Sequence, residues 1–201
     1  VCARFSPPVS QHLTRDMQAE REKTASAKAA KEADAARLKR EAATDREEWK
    51  AERAEQQAEA KVTTRVLQAE GLKDRANGKF KQGHYEEAMQ GYTRALGKLS
   101  DETQRTESGV LIRTACLLNR AACALKLQQP ESSAEDCSAV LEMDSTNAKA
   151  LYRRGLAFAA MQLNDAAVAD LSVASQLKPD DSAIRKQIAK LKGVQAAAVE
   201  Q

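Results

Sequence analysis

Apolar and small residues recur at three- and four-residue spacing from about residue 69 onwards, a pattern that predicts amphipathic helices. The first such stretch, AEGLKDRANGKFKQGHYEEAMQGYTRALGKL, is broken at residues 82–84 by QGH, which indicates a tight turn between two helices. The stretches CLLNRAACALKLQQPESSAEDCSAVLEMD and KALYRRGLAFAAMQLNDAAVADLSVASQLKPD have the same form, with breaks at QQP and near LND. The pattern therefore predicts three consecutive helix-turn-helix units.

The segment before residue 69 has a different pattern. Residues 16–65 contain no Gly or Pro, and Leu38 and Trp49 are almost the only large apolar residues between Met17 and Val62. Helix propensity is high here, but no heptad of apolar positions is sustained, so a coiled coil is not expected. We expect a solvated, charged helix or linker, with a dedicated binding helix as the alternative. In that alternative, Trp49 is the residue able to dock into a partner.

These patterns predict four segments. Residues 1–15 form a flexible N-terminal linker, 16–68 a charged helical extension, 69–180 the three-unit domain and 181–201 a terminal helix. In the last segment Ile184, Ile188 and Leu191 have helical spacing and are expected to cover the apolar face of the third unit. The chain does not begin with Met, so we expect either processing or a longer parent protein.

Composition excludes several classes of function. Charged residues make up 30% of the chain and aromatic residues 3%, which is typical of an all-helical protein. A net charge of +3 does not indicate nucleic acid or a membrane as partner, and no apolar run approaches the ~20 residues of a membrane span. No nucleophile–base pair or phosphate-binding loop is present, so we expect neither an enzyme nor a cofactor.

The four cysteines do not indicate a metal site. They form no CxxC motif, and the chain has two histidines, which makes a zinc site a poor interpretation. We expect reduced cysteines in the core of a cytoplasmic protein. The four are Cys2, Cys116, Cys123 and Cys137.

The second and third units superpose at a shift of 34 residues, so that Ala121 matches Gly155 and Cys137 matches Leu171. A helix-turn-helix period of 34 residues is the signature of the tetratricopeptide repeat (TPR). Residues 69–180 resemble this family, and the resemblance implies an all-α, right-handed solenoid of three repeats with a C-terminal capping helix. The packing positions that carry it are Ala76, Tyr85, Ala88, Tyr92 and Ala95 in repeat one, Ser133 and Val140 in the looser repeat two, and Phe158, Ala167, Ala174 and Pro179 in repeat three.

The period is interrupted once, because Leu72 and Leu117 are 45 residues apart. The 11 additional residues lie in GKLSDETQRTESGVLIR, between repeats one and two. This extended link is similar to that of the large TPR immunophilins, and NAKALYRRG most resembles the cyclophilin type. The chain has no room for an isomerase domain, which is expected to be absent or to lie upstream.

Positions 2, 5, 6 and 9 of each repeat's first helix lie on one side of that helix. In a solenoid these sides line a single concave groove, and we call this set of positions the concave stripe. Lys and Arg only donate hydrogen bonds and Asn can donate, so the stripe predicts a site for an anion such as paired carboxylates. A merely solvated polar face is the alternative, but two Asn within helices require a reason. The stripe contains Lys73, Asn77, Asn119, Lys149 and Arg153.

These five residues resemble the two-carboxylate clamp of TPR co-chaperones. The resemblance implies binding of the C-terminal Glu-Glu-Val-Asp tails of the cytosolic seventy- and ninety-kilodalton heat-shock chaperones, with Lys149 and Arg153 gripping the terminal Asp. Arg120 and Arg154, at position 7, are expected to be structural, with buried stems. The alternative function is a scaffold or assembly factor, for example axonemal, docked to a further protein through residues 16–68.

Overall fold

The computed structural model describes the backbone of residues 9–199 and the side chains of residues 15–193. Within these residues it contains seven α-helices, one short 3₁₀ helix (η1) and no strand, as the predicted all-α fold requires. Their bounds are α1 Val9–Lys81, α2 Tyr85–Leu96, η1 Thr103–Arg105, α3 Glu107–Lys126, α4 Pro130–Met143, α5 Ala148–Ala160, α6 Asn164–Leu177 and α7 Ser182–Val199. Of the predicted N-terminal linker, residues 1–8 lie outside the described residues and 9–15 begin α1. Residues 200–201 of the predicted terminal helix also lie outside them.

Contacts within the chain define two units, one ending at Ala58 and one beginning at Glu59. In the first unit, every described side chain from residue 15 onwards is exposed. Short-range ion pairs support this helical stretch, such as Lys50 Nζ to Glu47 Oε1 at 2.8 Å. Trp49 is 55% exposed, and the Arg53 guanidinium lies 5.0 Å from its ring centroid.

The second unit consists of helix pairs that share three apolar clusters. The first cluster joins the end of α1 to α2 and α3 and contains Ala69, Ala76 and Tyr92. The second joins α3, α4 and α5 around Ala121, Cys137 and Val140. The third joins α5, α6 and α7, where Ile184 and Leu191 of α7 pack with Leu171. Each cluster is thus shared between one repeat and the helix that follows it, as in a stacked solenoid.

The three turns inside the repeats have the same backbone conformation. Gly83, Gln128 and Gln162 occupy equivalent positions and have φ angles of +84°, +58° and +61°. Each of these left-handed residues ends a first helix in a Schellman arrangement. The next residue donates its N–H to a carbonyl five residues back, in the bonds His84→Lys79 at 3.0 Å, Gln129→Ala124 at 2.8 Å and Leu163→Phe158 at 2.9 Å.

The 11-residue insertion is folded against α3. Thr103, in η1, is fully buried, and its Oγ1 donates to the Ser100 carbonyl at 2.7 Å. The Thr106 hydroxyl caps α3 by accepting from the Gly109 N–H at 3.1 Å, which satisfies an otherwise free helix-end donor. The insertion therefore lengthens α3 at its N-terminus by about two turns beyond position 1 of the repeat.

Among the described helices, α3 alone has a length and composition that would suit a membrane span. Its apolar residues are instead used in packing, because eight of its residues are buried and six of these belong to the first two clusters. The helix lies between α2 on one side and α4 and α5 on the other, so α3 is the central core helix of the repeats.

Candidate functional site

The residues of the predicted site come from three helices. Lys73 and Asn77 lie on α1, Asn119 on α3, and Lys149 and Arg153 on α5. Lys149 is exposed and the other four are half-buried. Hydrogen bonds link α1 to α3 through the two asparagines and α3 to α5 through Arg153. No hydrogen bond or ion pair within the described residues joins Lys149 to the others.

Asn77 and Asn119 are held together by a shared hydrogen bond. Asn119 Nδ2 donates to Asn77 Oδ1 at 3.1 Å, and the Tyr92 hydroxyl donates to the same oxygen at 2.7 Å. Two donors therefore occupy the amide oxygen of Asn77, which leaves its Nδ2 to donate. That Nδ2 has only a long contact, 3.5 Å, with the exposed carboxylate of Asp74. The arrangement leaves the Asn77 amide N–H groups available to donate to an anion.

Tyr92 is the part of this site that the concave stripe does not contain. It lies on α2, is 1% exposed, and belongs to the first apolar cluster. Burial raises the pKa of its phenol to about 12, so the hydroxyl keeps its proton and remains a donor at neutral pH. The sequence analysis identified Tyr92 only as a packing residue, because its hydroxyl role depends on the contact between α2 and α1.

Arg153 carries a cation without a carboxylate partner in the described part of the chain. Its Nη1 donates to the Leu118 carbonyl of α3 at 2.6 Å. Burial lowers the pKa of the guanidinium, which is the effect of desolvating a charge that has no opposite charge beside it. An anion in the groove would supply that opposite charge.

Arg154, the next residue, is fully paired. Its Nε and Nη2 donate to the two carboxylate oxygens of Asp170 at 2.7 and 2.9 Å, and Nη1 donates to Ser138 Oγ at 3.2 Å. The pairing with Asp170 raises the pKa of Arg154. The two neighbouring arginines thus have opposite environments, and only Arg153 has unused charge for a ligand.

The same structural arrangement occurs one repeat earlier. Arg120 pairs with both oxygens of Asp136, at 2.9 and 2.6 Å, and its Nη1 donates to Thr93 Oγ1 at 3.1 Å. In both cases the arginine binds an acid of its own repeat and a hydroxyl of the preceding one. The sequence predicted two structural arginines but not their acidic partners. A signal was present, since Asp136 and Asp170 each follow their arginine by 16 residues.

Lys73 is the second basic group close to the asparagines. Its Nζ lies 3.5 Å from Glu70 Oε1 and 3.4 Å from Asp74 Oδ1. Both acids are substantially more exposed than Lys73, whose side chain is 18% exposed. Such long pairs with solvated partners contribute little, so a carboxylate ligand can replace them. The described residues contain no group of His, Cys, Asp and Glu suited to a metal ion.

Three stacked helical hairpins with a donor-rich concave face define a TPR domain. No protein-family profile matches the sequence, but individual proteins do. Mouse FKBP4, a peptidyl-prolyl cis-trans isomerase, is 34% identical over 142 residues, which is 69% of this chain and 31% of that protein. Outer envelope protein 61 of Arabidopsis thaliana is 36% identical over 127 residues, or 63% of this chain and 23% of that protein. The fission yeast (Schizosaccharomyces pombe) Hsp70/Hsp90 co-chaperone cns1 is 34% identical over 116 residues, which is 58% of this chain and 30% of that protein.

Three solved TPR domains match this chain over nearly their whole length. The C-terminal TPR domain of a Plasmodium falciparum FK506-binding protein superposes with a TM-score of 0.65 at 26% identity, covering 70% of this chain and 96% of that one. The second TPR domain of human RPAP3, in complex with the HSP70 peptide SGPTIEEVD, has a TM-score of 0.54 at 29% identity. The match covers 64% of this chain and 98% of that one. The first TPR domain of Spaghetti (RPAP3), bound to the HSP90 peptide SRMEEVD, has a TM-score of 0.57 at 25% identity. The match covers 65% of this chain and 95% of that one.

The chain therefore contains a TPR domain similar to those of the FK506-binding proteins and RPAP3, and the predicted fold and resemblance are confirmed. The relative FKBP4 is named a peptidyl-prolyl cis-trans isomerase and the Plasmodium structure an FK506-binding protein, whereas the sequence favoured the cyclophilin type. The chain spans 31% of mouse FKBP4 and 23% of outer envelope protein 61, so the resemblance concerns the repeats and not those whole proteins.

Proposed function

We propose that this protein is a cytoplasmic co-chaperone or adaptor whose groove binds the C-terminal Glu-Glu-Val-Asp tails of heat-shock chaperones. Lys73, Asn77, Asn119, Lys149 and Arg153 are the proposed binding residues. The observation that carries the proposal is the state of Arg153, a half-buried guanidinium that contacts one carbonyl and no carboxylate in the described structure. A terminal Asp offers two carboxylates, one from its side chain and one from the chain end.

The geometry supports different contributions from the two sides of the groove, with amide donors on one side and cations on the other. Asn77 and Asn119, fixed by Tyr92, present amide donors from α1 and α3. Lys149 and Arg153, four residues apart on α5, lie on one face of that helix. Hydrogen bonds between charged donors and carboxylates are roughly twice as strong as neutral ones, so a doubly charged terminus is favoured over a single acid.

The comparisons support this chemistry. Two of the similar structures were solved with peptides ending in EEVD, and one relative is named an Hsp70/Hsp90 co-chaperone. The proposed activity is binding, not catalysis.

The test is a titration of the chain with SRMEEVD as the free acid and as the C-terminal amide. We expect amidation to remove most of the affinity, because one clamped carboxylate is lost while its donors stay in place. Arg153→Ala should lower the affinity for the free-acid peptide by about 30-fold or more. Arg94→Ala, which removes an exposed positive charge on α2, is the matched control and should bind as wild type.

A scaffold function predicts a different result. If the repeats hold another partner, amidated and free peptides bind alike and Arg153→Ala has no effect on them. Either result would contradict the assignment of these five residues as a carboxylate-binding site. Raising the salt concentration from 0.01 to 0.15 M should also weaken binding, because the screening length falls from about 30 to about 8 Å.

A further inference from the structure

The charged residues of α1 between residues 34 and 55 are sorted onto two sides of the helix. The segment can be numbered as heptads with positions a to g, in which Leu38 is at d and Trp49 at a. Every g position is then acidic and every e position between them is basic. The g residues are Asp34, Glu41, Glu48 and Glu55, and the e residues are Lys39, Arg46 and Arg53. Seven residues make almost two helical turns, so an acidic and a basic stripe flank Leu38 and Trp49.

The basic stripe has no acid partner on its own helix. Ion pairs along a helix form between residues three or four apart. At those distances Lys39, Arg46 and Arg53 have only Ala, Trp, Lys and Gln, and none of the ion pairs in the described part of this helix involves them. The Arg53 guanidinium lies instead 5.0 Å from the centroid of the Trp49 ring. These three cations are therefore available to acids of another chain.

The charges on the outer side of the helix differ in this respect. Lys50, at position b, lies 2.8 Å from Glu47 at position f. Arg37, at position c, lies 3.5 Å from Asp34 and 3.6 Å from Glu41. The last two pairs are long and exposed and contribute little, so both acids can still bind a second cation. Local pairing thus accounts for the outer charges but not for the basic stripe.

The surface between the two stripes is partly apolar and open to solvent. Leu38 is 60% exposed and Trp49 is 55% exposed, and the a positions before Trp49 are Ala35 and Ala42. Two d positions are acidic, at residues 45 and 52. A seam with so few large apolar residues can support only weak association between helices.

We propose that residues 34–55 pair weakly with the same segment of a second copy of this chain, in parallel and in register. In a parallel pair, each g residue faces the e residue five positions later on the other helix. These pairs are Asp34 with Lys39, Glu41 with Arg46, and Glu48 with Arg53, and each occurs twice by symmetry. An antiparallel pair would place e opposite e and g opposite g, so that like charges meet. The order of charges therefore selects the parallel arrangement, which the apolar positions alone do not predict.

The experiment is sedimentation equilibrium of the full chain at low salt. We expect a monomer–dimer equilibrium with a dissociation constant between about 10 and 300 µM. Reversing the basic stripe should remove the dimer, because both flanks of each helix become acidic. That variant is Lys39→Glu/Arg46→Glu/Arg53→Glu. The matched control makes the same change in net charge at outer positions c, f and b, and its dissociation constant should stay within about two-fold of wild type. The control is Lys23→Glu/Arg40→Glu/Lys50→Glu.

A mixture of two charge-reversed variants tests the pairing itself. The second variant reverses the acidic stripe and should also be monomeric alone, because both of its flanks are basic. It is Asp34→Lys/Glu41→Lys/Glu48→Lys. Mixed in equal amounts, the two variants should form a 1:1 heterodimer at least as tight as the wild-type dimer, since every pair of flanks is again opposite in charge. A mixture that stays monomeric would overturn the proposal.

Disulfide cross-linking tests the orientation of the two helices. In a Cys2→Ser background, Ala35→Cys should give a covalent dimer on mild oxidation, because a positions face each other in a parallel pair. Ala36→Cys, at the outward b position, is the control and should not cross-link. Equal cross-linking at both positions, or a wild-type chain that remains monomeric at about 500 µM, would contradict the proposed pair. These measurements use no peptide, so they are independent of the clamp and of its tests.

Discussion

Arg154 and Asp170 form a two-pronged ion pair in which Nε and Nη2 lie 2.7 and 2.9 Å from the two carboxylate oxygens. The pair joins α5 to α6, and the third nitrogen of Arg154 reaches Ser138 of the preceding repeat. One side chain therefore fixes both the hairpin of repeat three and its stacking on repeat two. Arg153, beside it, is left to face the groove.

We expect Arg154→Ala to destabilise the protein by about 2–4 kcal/mol, because it leaves the buried carboxylate of Asp170 without its cation. Peptide affinity of the folded variant should remain close to that of wild type. Urea denaturation and peptide titration measure the two effects. The Arg154→Ala/Asp170→Ala double variant should lose less stability than the sum of the single variants. Strict additivity would show that the two residues act independently.

Tyr92→Phe should weaken peptide binding with little loss of stability. The change removes the hydroxyl that donates to Asn77 Oδ1, so the Asn77 amide is no longer held with its Nδ2 free to donate. We expect an affinity loss of about three- to ten-fold and a stability loss of about 1 kcal/mol, measured by calorimetric titration and thermal melts. Tyr85→Phe, which alters an aromatic pair with Phe80 away from the site, should bind as wild type. Unchanged affinity of Tyr92→Phe would contradict a positioning role.

Gly109→Ala should destabilise the domain by about 1–3 kcal/mol through overpacking. A Cβ at this position would overlap the Thr103 carbonyl oxygen, so the insertion would have to move away from α3. Gly71→Ala is the matched control, because no atom lies within 4 Å of a Cβ placed there. That change should stabilise α1 by about 0.5–1 kcal/mol. Chemical denaturation compares the two, and equal effects would mean that the insertion does not pack tightly on α3.

Gln162→Gly should stabilise the protein by about 0.5–1 kcal/mol, because its φ of +61° is a left-handed conformation that costs residues with a Cβ. Gln128→Gly should behave in the same way. Gly83→Ala is the reciprocal test and should cost about 1 kcal/mol at the equivalent turn. Thermal melts measure all three, and a loss of stability in both Gln→Gly variants would contradict the shared turn conformation.

Stability should fall as the pH rises from 9 to 11. Burial raises the pKa of the Cys116, Cys123 and Cys137 thiols from 9.0 to about 11. The unfolded chain releases these protons at lower pH than the folded chain does, so each thiol contributes a loss of about 1 kcal/mol per pH unit in this window. Urea midpoints at pH 9, 10 and 11 in reductant measure the slope. Cys123→Ala should reduce the slope by about one third of the contribution of the three thiols. An unchanged slope would show that this thiol does not titrate as inferred.

Much of the architecture follows from local patterns in the sequence. The breaks at QGH, QQP and LND coincide with turns in the structure because a left-handed residue ends each first helix at the same point. The 34-residue shift places equivalent residues in equivalent contacts, as Arg120 and Arg154 illustrate. The concave stripe also came from helical periodicity alone, and its assignment as a clamp remains a prediction.

The sequence by itself determined the helices, their turns and the face on which each polar side chain lies, because these depend on residues within one or two turns. Only the tertiary structure decided which side chains meet across helices. The Asn119 bond to Asn77 spans 42 residues, and the Tyr92 bond to Asn77 spans 15. Periodicity cannot specify such contacts, since they depend on how closely two helices pack and on the path of the chain between them.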